Sequence, residues 1–356
     1  MGVLHIANTD FEWELKTGNT YPLEEGLYRH PYFLQLQYLP LLYANEEDGV
    51  LLTHRPPKTY LNYLKKRGFL LPKIHLFHDT HFPYESVESW GWSNNVKTWA
   101  TEHRLIYNPP PMHYVKMLTS KVFSFTHSPH LIEAELLHNL DEVKCWLSQG
   151  HFPKVIKACF GVAGKEHFLF DHKEDLIYVK ERLSKACQTG HPLIGEPWVK
   201  RLLDFSTQWL LTKEKRAIYL GTTIMKNTKT GQYQQTLVDQ EHSLLGEFHP
   251  FLKQHLECAE HLIECIQDKN YVGYLGIDAM IYQHPKNQHT MLHPIVEINP
   301  RQTIGLLALN IYQKRACKRL FLSYIPSKTS GLLPLSVTCK EKTITFPKQL
   351  KLVMMK

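Results

Sequence analysis

Two acceptor side chains in the segment HPIVEINPRQT are spaced so that they could serve one site. Glu297 and Asn299 are separated by a single residue in an apolar run that predicts a strand, so both project from the same face. The preceding run GYLGIDAMIY also predicts a strand and contains Asp278. The loop QHPKNQHT would let the two strands pair as a hairpin, which would bring Asp278 beside Glu297.

Two carboxylates and one amide make a ligand set that suits magnesium. Mg²⁺ prefers carboxylate and amide oxygens in an octahedral shell completed by phosphate oxygens and water. Arg301, two residues beyond Asn299, could contact a phosphate. A solvated hairpin with acidic side chains is the alternative interpretation of the same pattern, so the metal prediction depends on what accompanies it in the chain.

A lysine followed by glycines lies upstream, in PKVIKACFGVAGKEHF. Lys157 ends an apolar run that predicts a strand, and Gly161 and Gly164 follow in a turn. Backbone N–H groups exposed in such a turn can bind phosphate oxygens. A surface turn can have the same composition, but its place upstream of the acidic strands favours a nucleotide site.

These segments, taken in order, resemble the ATP-grasp superfamily over residues 116–320, a little over half of the chain. In LTSKVFSFTHSP, Lys121 matches the first nucleotide-binding lysine of that family, and Lys157 resembles the second. GEPWVKRLLDFS resembles the hinge between the two lobes. The resemblance has two departures: the glycine turn is short, and Asp278 stands where many members have Glu.

The resemblance implies a role for each matching residue. Glu196 and the backbone of Pro197, Trp198 and Val199 would contact adenine, while Asp204 would hold the ribose. The residues implied to bind ATP are Lys121, Lys157, Gly161, Gly164, Glu196, Pro197, Trp198, Val199, Asp204 and Arg301. The implied ligands of Mg²⁺, or of Mn²⁺, are Asp278, Glu297 and Asn299. Lys157 and Arg301 are also implied in catalysis, as cations that support the transferred charge.

The resemblance further implies a ligase. Such enzymes use ATP to convert a substrate carboxylate into an acylphosphate, which an amine or a thiol then attacks, and a carbon–nitrogen bond is the expected product. Positioning and charge neutralisation dominate this chemistry, so we nominate no protein nucleophile. Two alternatives stay open: a phosphotransferase of the same fold that acts on a hydroxyl, and a nucleotide-binding protein without catalysis.

The elements that must position these residues form an α/β domain followed by a two-lobed α+β region. Before the site, strands at VLLT and KIHLFH alternate with helices at TYLNYLKKRGF and 94–103, which predicts a Rossmann-like layer. We predict domain limits at 1–117, 118–198, 199–325 and 326–356.

In the small lobe we predict a helix over 131–149, the strand KVIKACFG, a helix over 174–186 and the strand PLIGEP. In the large lobe we predict a hairpin across KRAIYLGTTIMKNTKTGQY, a helix over 248–268, two strands and a helix through TIGLLALNIYQKRACKR, followed by a tail of strand and loop.

The tryptophan loop SWGWSNN precedes the predicted helix at Asn94. Its aromatic walls and the helix amino terminus could hold a substrate carboxylate, although packing of Trp90 and Trp92 is the favoured interpretation.

The histidine cluster HxxHDxH is also favoured to be structural. Its members are His75, His78, Asp79 and His81. Extended residues three apart point to opposite faces, which does not make a preorganised zinc site.

Composition indicates an ordinary globular protein. Hydrophobic residues make up 43% and charged residues 21%, and the formal net charge is +7 without a block of like charges. No run reaches the roughly 18 apolar residues of a membrane span. The seven cysteines contain no CxxC pair, which predicts reduced thiols and a cytoplasmic location. We expect small-molecule partners rather than nucleic acid or membrane, and a homodimer is compatible with the sequence.

Overall fold

The chain begins with a four-stranded parallel sheet. The structure, a computed structural model, describes residues 2–160, 167–339 and 342–355. The sheet order is β3-β2-β1-β4, with β1 (Leu4–Ile6), β2 (Gly49–Leu52), β3 (Lys73–Leu76) and β4 (Val87–Ser89). The helices around it are α1 (Phe11–Thr17), α2 (Leu23–Tyr28), α3 (Pro31–Leu36), α4 (Lys58–Lys66) and α5 (Asn94–Glu102), with a 3-10 turn at Leu39–Leu42. Every residue of β2, the strand GVLL, is buried, as expected for a parallel strand covered on both faces.

A small antiparallel sheet follows two short helices. The helices are α6 (Met112–Thr119) and α7 (Lys121–His127). The sheet order is β5-β8-β6-β7, with β5 (Glu135–Leu137), β6 (Lys154–Ala158), β7 (His167–Phe170) and β8 (Leu193–Pro197). The helices α8 (Leu140–Ser148) and α9 (Leu176–Cys187) accompany it, with a 3-10 turn at Lys173–Asp175.

The helix predicted over 131–149 was wrong in its first half. The chain forms β5 at Glu135–Leu137, which pairs with β8, and only then begins α8 at Leu140. Asn139 has extended backbone angles, and its side chain accepts hydrogen bonds from two backbone N–H groups of the first helical turn. This cap fixes the start of the helix, and pairing with β8 keeps the residues before it extended.

A seven-stranded antiparallel sheet forms most of the remaining chain. Its order is β13-β12-β9-β10-β11-β14-β17. The strands are β9 (Lys200–Leu211), β10 (Ala217–Asn227), β11 (Tyr233–Asp239), β12 (Gly273–Gln283), β13 (Thr290–Asn299), β14 (Arg319–Pro326) and β17 (Lys348–Met355), and a separate hairpin contains β15 (Ser336–Cys339) and β16 (Lys342–Thr345). The helices are α10 (Glu241–Leu245), α11 (His249–Gln267) and α12 (Ile304–Gln313), with a 3-10 turn at Gly246–Phe248.

The elements predicted in this part are present. Strands β10 and β11 pair antiparallel across a turn closed by Thr228 and Gln232, which confirms the predicted hairpin. Helix α11 lies where a helix was predicted. Helix α12 covers only the first part of its predicted range: it ends at Gln313, and Arg319, predicted as the end of the helix, begins β14. The tail returns as β17 and pairs with β14 along its whole length, so it completes the large sheet. The domain limits at 1–117, 118–198, 199–325 and 326–356 stay predictions.

The amino-terminal layer and the large sheet share one hydrophobic core. Leu34, Tyr38 and Val50 from the first layer belong to the same cluster of buried side chains as Leu307 and Leu320 from the large-sheet region. Just beyond the carboxyl end of β4, Gly91 forms an isolated antiparallel bridge with Arg301, which follows β13. In the described parts of the chain, no helix has the length and apolar character needed to cross a membrane.

Candidate functional site

Strands β12 and β13 bring the three predicted metal-binding side chains together. Asp278 stands directly opposite Glu297 in the antiparallel register, and opposite Ser206 of β9 on its other side. Asn299 shares its face with Glu297, and its Nδ2 donates a hydrogen bond to Asp278 Oδ2 at 3.2 Å. The predicted hairpin is therefore present, and it places oxygens of all three side chains at one point of the sheet.

The two carboxylates differ in how readily they ionise. Burial, together with the negative charge of Glu297, raises the pKa of Asp278 to about 7. Burial would also raise the pKa of Glu297, but the ammonium of Lys121 outweighs it and holds that pKa below its usual value. At neutral pH Glu297 is ionised and Asp278 is only partly ionised. A cation bound beside both carboxylates would be stabilised by their charges and would favour the ionised form of Asp278.

Lys121 lies at the same point as the carboxylates. It is the first residue of α7, and its Nζ donates a 2.5 Å hydrogen bond to Glu297 Oε1. Its backbone N–H bonds to the carbonyl of Cys159 just after β6, which ties the start of α7 to the small sheet. Burial would lower the pKa of Lys121, yet Glu297 and the nearby acids raise it above its ordinary value, so the side chain is a cation.

A second ion pair, Lys157 with Glu196, is buried in the small sheet. The two residues lie on the paired strands β6 and β8, and Lys157 Nζ donates to Glu196 Oε2. Their side chains are 8% and 9% exposed. Burial would raise the pKa of Glu196, but the charge of Lys157 lowers it. The lysine and the glutamate that were predicted to bind nucleotide are therefore direct partners.

Two neutral histidines flank this pair and were not singled out from the sequence. Burial lowers the pKa of both His167 and His293 to about 4, and the charge of Lys157 acts in the same direction on both. The Nδ1 atom of each ring is buried and has no hydrogen-bond partner within the described residues. Nothing in the spacing of 22 histidines marks these two, because His167 lies on β7 of the small sheet and His293 on β13 of the large sheet.

The predicted hinge borders a cleft of about 1060 Å³. Trp198, Val199 and Asp204 line it, and the preceding residue Pro197 ends β8. Asp204 Oδ2 accepts hydrogen bonds from Asn227 Nδ2 at 2.9 Å and from Arg201 Nη1 at 3.3 Å. The Arg201 guanidinium also lies 4.8 Å from the centre of the Trp198 ring. The carboxylate predicted to hold a ribose thus faces this cleft with ordered neighbours.

Arg301 joins the acidic strands to the amino-terminal layer. Its Nη2 donates to Asn299 Oδ1 at 2.8 Å, and its Nε donates to Glu12 Oε1 at 2.8 Å. Its backbone forms an isolated antiparallel bridge with Gly91. Glu12 was not singled out from the sequence. In the structure it is an acidic residue in the first turn of the short helix α1.

The tryptophan loop holds a carboxylate from the chain itself. Glu14 of α1 accepts hydrogen bonds from Ser93 Oγ at 2.5 Å and from the backbone N–H of Asn94 at 2.7 Å. Trp92 Nε1 donates to the carbonyl of Val272, and Trp90 is buried in the core. The favoured packing interpretation therefore describes this loop, and the helix start that could have bound a substrate carboxylate is capped by Glu14.

Gly161 and Gly164 lie outside the described residues. In the histidine cluster, His75 Nε2 is 3.1 Å from the hydroxyl of Tyr84, and His75 Nδ1 is 3.5 Å from Asp79 Oδ2. His75 therefore has local partners within its own domain.

No protein-family model and no curated protein matches the sequence. Solved structures match the fold. Phosphoribosylamine–glycine ligase from Thermotoga maritima has a TM-score of 0.56 at 14% identity, and the match covers 90% of each chain.

Two further matches were solved with bound nucleotide. N5-carboxyaminoimidazole synthetase from Staphylococcus aureus, complexed with ADP, has a TM-score of 0.52 at 10% identity and covers 91% of this chain and 82% of its own. The biotin carboxylase complex with β,γ-ATP from Campylobacter jejuni has a TM-score of 0.53 at 12% identity and covers 90% and 84%. These proteins are ATP-grasp enzymes. The described architecture and these matches together show that the chain has the ATP-grasp fold, preceded by a Rossmann-like α/β domain.

Proposed function

We propose that this protein is an ATP-dependent ligase that activates a substrate carboxylate as an acylphosphate, which an amine or a thiol then attacks. The observation that carries the proposal is the meeting of Asp278, Glu297 and Asn299 with Lys121 and Arg301 at one point of an ATP-grasp fold. Acidic ligands beside fixed cations are what binding of a metal–nucleotide complex requires.

The residues present fit a divalent cation. Asp278 and Glu297 are adjacent carboxylates, and the pKa of Asp278 is raised by burial and by its neighbour's charge. A Mg²⁺ or Mn²⁺ ion held by these oxygens and by the amide of Asn299 would relieve that repulsion. Bound Mg-ATP would supply the phosphoryl group that activates the carboxylate, and the metal would offset charge on the phosphate oxygens.

The remaining residues would bind and orient the nucleotide. Lys157 and Arg301 would stabilise negative charge during transfer, and Lys121 would contact phosphate from the other side of Glu297. Asp204 would hold the ribose in the cleft, and Glu196 would contact adenine. The backbone of Pro197, Trp198 and Val199 would meet the base, and the turn with Gly161 and Gly164 would contact phosphate.

The matched structures support a function that uses ATP. One was solved with ADP, one with β,γ-ATP, and a third is named a ligase. We propose that the substrates of this protein are a small carboxylic acid and an amine or thiol acceptor, with a carbon–nitrogen bond as the favoured product. The six cysteines whose state the structure gives are free thiols, which supports the proposed cytoplasmic location.

An ADP-release screen tests the proposal. The purified protein is incubated with Mg-ATP and pairs of carboxylates with amines or thiols, and the products of every active pair are identified by mass spectrometry. A ligated product that requires both substrates supports the ligase. A stable phosphoester formed without a second nucleophile would identify a phosphotransferase instead.

Two variants provide the specificity control. Glu297→Ala removes the central carboxylate and should abolish turnover of Mg-ATP. Glu214→Ala removes an exposed carboxylate in a distant turn and should behave as the wild type. Equal ADP release from both variants would reject the proposed metal site.

A further inference from the structure

The contact between Glu12 and Arg301 crosses from the amino-terminal layer to the acidic strands. The Arg301 Nε donates to Glu12 Oε1 at 2.8 Å, and the two residues are 289 positions apart. Their side chains are only 19% and 17% exposed, for Arg301 and Glu12 respectively. An ion pair this shielded is stronger than a surface pair, because less water screens the two charges.

Glu12 is itself held on a fixed element. Its neighbour Phe11 is buried in the core, and Glu14, two residues further along, accepts hydrogen bonds at the start of α5. These contacts anchor α1 on both sides of Glu12. The carboxylate of Glu12 is therefore presented to Arg301 from a rigid support rather than from a free loop.

The hydrogen bonds of Arg301 leave part of its guanidinium available. A guanidinium has five N–H donors in a planar fork. Nε donates to Glu12, Nη2 donates once to Asn299, and Nη1 donates once to the carbonyl of Gln302 at 3.2 Å. Within the described residues, no acceptor takes the remaining N–H of Nη1 or that of Nη2. Two N–H groups of one guanidinium can bind an oxyanion together.

We propose that Glu12 is a positioning residue: it fixes the rotation of the Arg301 guanidinium so that the two remaining donors face the phosphoryl oxygens of the bound nucleotide. The inference rests on the proposed function, which assigns Arg301 to that phosphate. Three acceptors, namely Glu12, Asn299 and the Gln302 carbonyl, each bond to a different nitrogen and together define the plane of the fork. Glu12 is the only charged member of the three.

A purely structural role would make different predictions. Gln302 Nε2 donates to Glu88 Oε1 at 2.9 Å across the same junction. This contact uses the side chain of Gln302, whereas Arg301 donates to the Gln302 backbone carbonyl. If Glu12 merely held the two layers together, removing Glu88 would have the same effect on ligand binding as removing Glu12. The two glutamates therefore form a matched pair of variants.

The test measures binding of the Mg²⁺ complex of β,γ-methylene-ATP to the full chain by isothermal titration calorimetry. We expect Glu12→Ala to weaken binding by about tenfold, the effect of losing one charge-assisted hydrogen bond. Glu12→Gln retains an acceptor oxygen and should stay within about threefold of the wild type. Arg301→Ala should weaken binding at least as much as Glu12→Ala, and the double variant should be no weaker than Arg301→Ala alone, because coupled residues are not additive.

The outcomes separate this inference from the proposed function. A wild-type protein that binds no Mg-nucleotide would reject both. A wild type that binds, with unchanged affinity in Glu12→Ala or in Arg301→Ala, would overturn the positioning role and leave the metal site standing. Additive losses in the double variant, or an equal loss in Glu88→Ala, would also overturn it. Urea denaturation of each variant establishes that the binding measurements report on folded protein.

Discussion

The ammonium of Lys121 lies 2.5 Å from Glu297 Oε1, although the two residues are 176 positions apart in the chain. The lysine side chain is 9% exposed and that of Glu297 is 29% exposed. Glu297 therefore balances a buried cation, and it is also the central carboxylate of the proposed metal site. Its contributions to stability and to activity can be measured separately.

Glu297→Gln should reduce both quantities. Loss of the carboxylate removes a proposed metal ligand, so ADP release from Mg-ATP should fall by about 100-fold or more. The free energy of unfolding in urea should fall by about 1–3 kcal/mol, because Lys121 loses a charged acceptor. The double variant Glu297→Gln with Lys121→Met should recover part of the stability and none of the activity. Full activity in Glu297→Gln would contradict the metal site.

Binding of Mg-ADP should strengthen with pH through the titration of Asp278. Burial raises the pKa of this carboxyl to about 7, and a metal requires its ionised form. Affinity measured by calorimetry should therefore increase by about tenfold between pH 6 and pH 8 and then level off. Asp278→Asn should flatten this dependence and weaken binding throughout. An equally steep profile in the Asn variant would show that another group is responsible.

The same carboxyl should affect the stability of the ligand-free protein in the opposite direction. Its pKa in the folded state lies above the ordinary value of 3.8, so the folded chain binds the proton more tightly than the unfolded chain does. This contribution to stability is present below pH 3.8 and is lost as the pH rises through about 7. Asp278→Asn should therefore gain stability over the wild type as the pH rises, which urea denaturation at pH 5 and pH 8 would detect.

Glu196→Ala should be among the most destabilising substitutions in the small sheet. It leaves the ammonium of Lys157 buried without its anion, a situation that costs about 3–5 kcal/mol. Replacing both partners, as Lys157→Met with Glu196→Leu, should cost markedly less, because no unpaired charge remains. Urea denaturation at pH 7 measures both values, and a double variant less stable than Glu196→Ala would contradict this account.

Acid should reduce the difference between the wild type and Glu196→Ala. The folded-state pKa of Glu196 lies below the ordinary value of 4.5, because Lys157 outweighs the effect of burial. The stabilisation is therefore complete above pH 4.5 and is lost as the pH falls through the lowered value. Unfolding curves collected from pH 6 to pH 3 should converge at the acidic end.

Gly91→Ala should destabilise the junction beside the proposed site. A Cβ at this position would lie 2.5 Å from carbons of the Phe11 ring, and Phe11 is a buried core residue. Overpacking of this kind costs about 1–3 kcal/mol. Thermal and urea unfolding test the variant, and an unaffected Gly91→Ala would contradict the predicted clash.

Local patterns were sufficient to predict most of the elements. Buried runs such as GVLL and the apolar periodicity of α11 and α12 determine their own secondary structure, since burial on one face or two leaves a repeat in the sequence. The helix over 131–149 failed because β5 is a strand only through its pairing with β8. A three-residue strand carries too little pattern to outweigh the helical residues that follow it.

The three proposed metal ligands, Asp278, Glu297 and Asn299, show how much local spacing can predict. Glu297 and Asn299 share a face because strand side chains alternate, and the short loop before β13 makes pairing with β12 the natural connection. This is local geometry, and the sequence alone predicts it. The neighbouring charged groups come from distant segments: Lys121, which bonds to Glu297, lies at the start of α7, and Glu12, which bonds to Arg301, lies in α1.

The relationships that long-range packing created could not be read from the chain. Glu12 meets Arg301 because the amino-terminal layer shares its core with the large sheet. The two histidines beside Lys157 and Glu196 come from different sheets, His167 from β7 and His293 from β13. Glu14 accepts a backbone hydrogen bond at the start of α5, which occupies the place considered for a substrate carboxylate. Residue types and spacing record which groups are able to do chemistry. Burial and the contacts between distant segments set their pKa values, their partners and the directions in which they point.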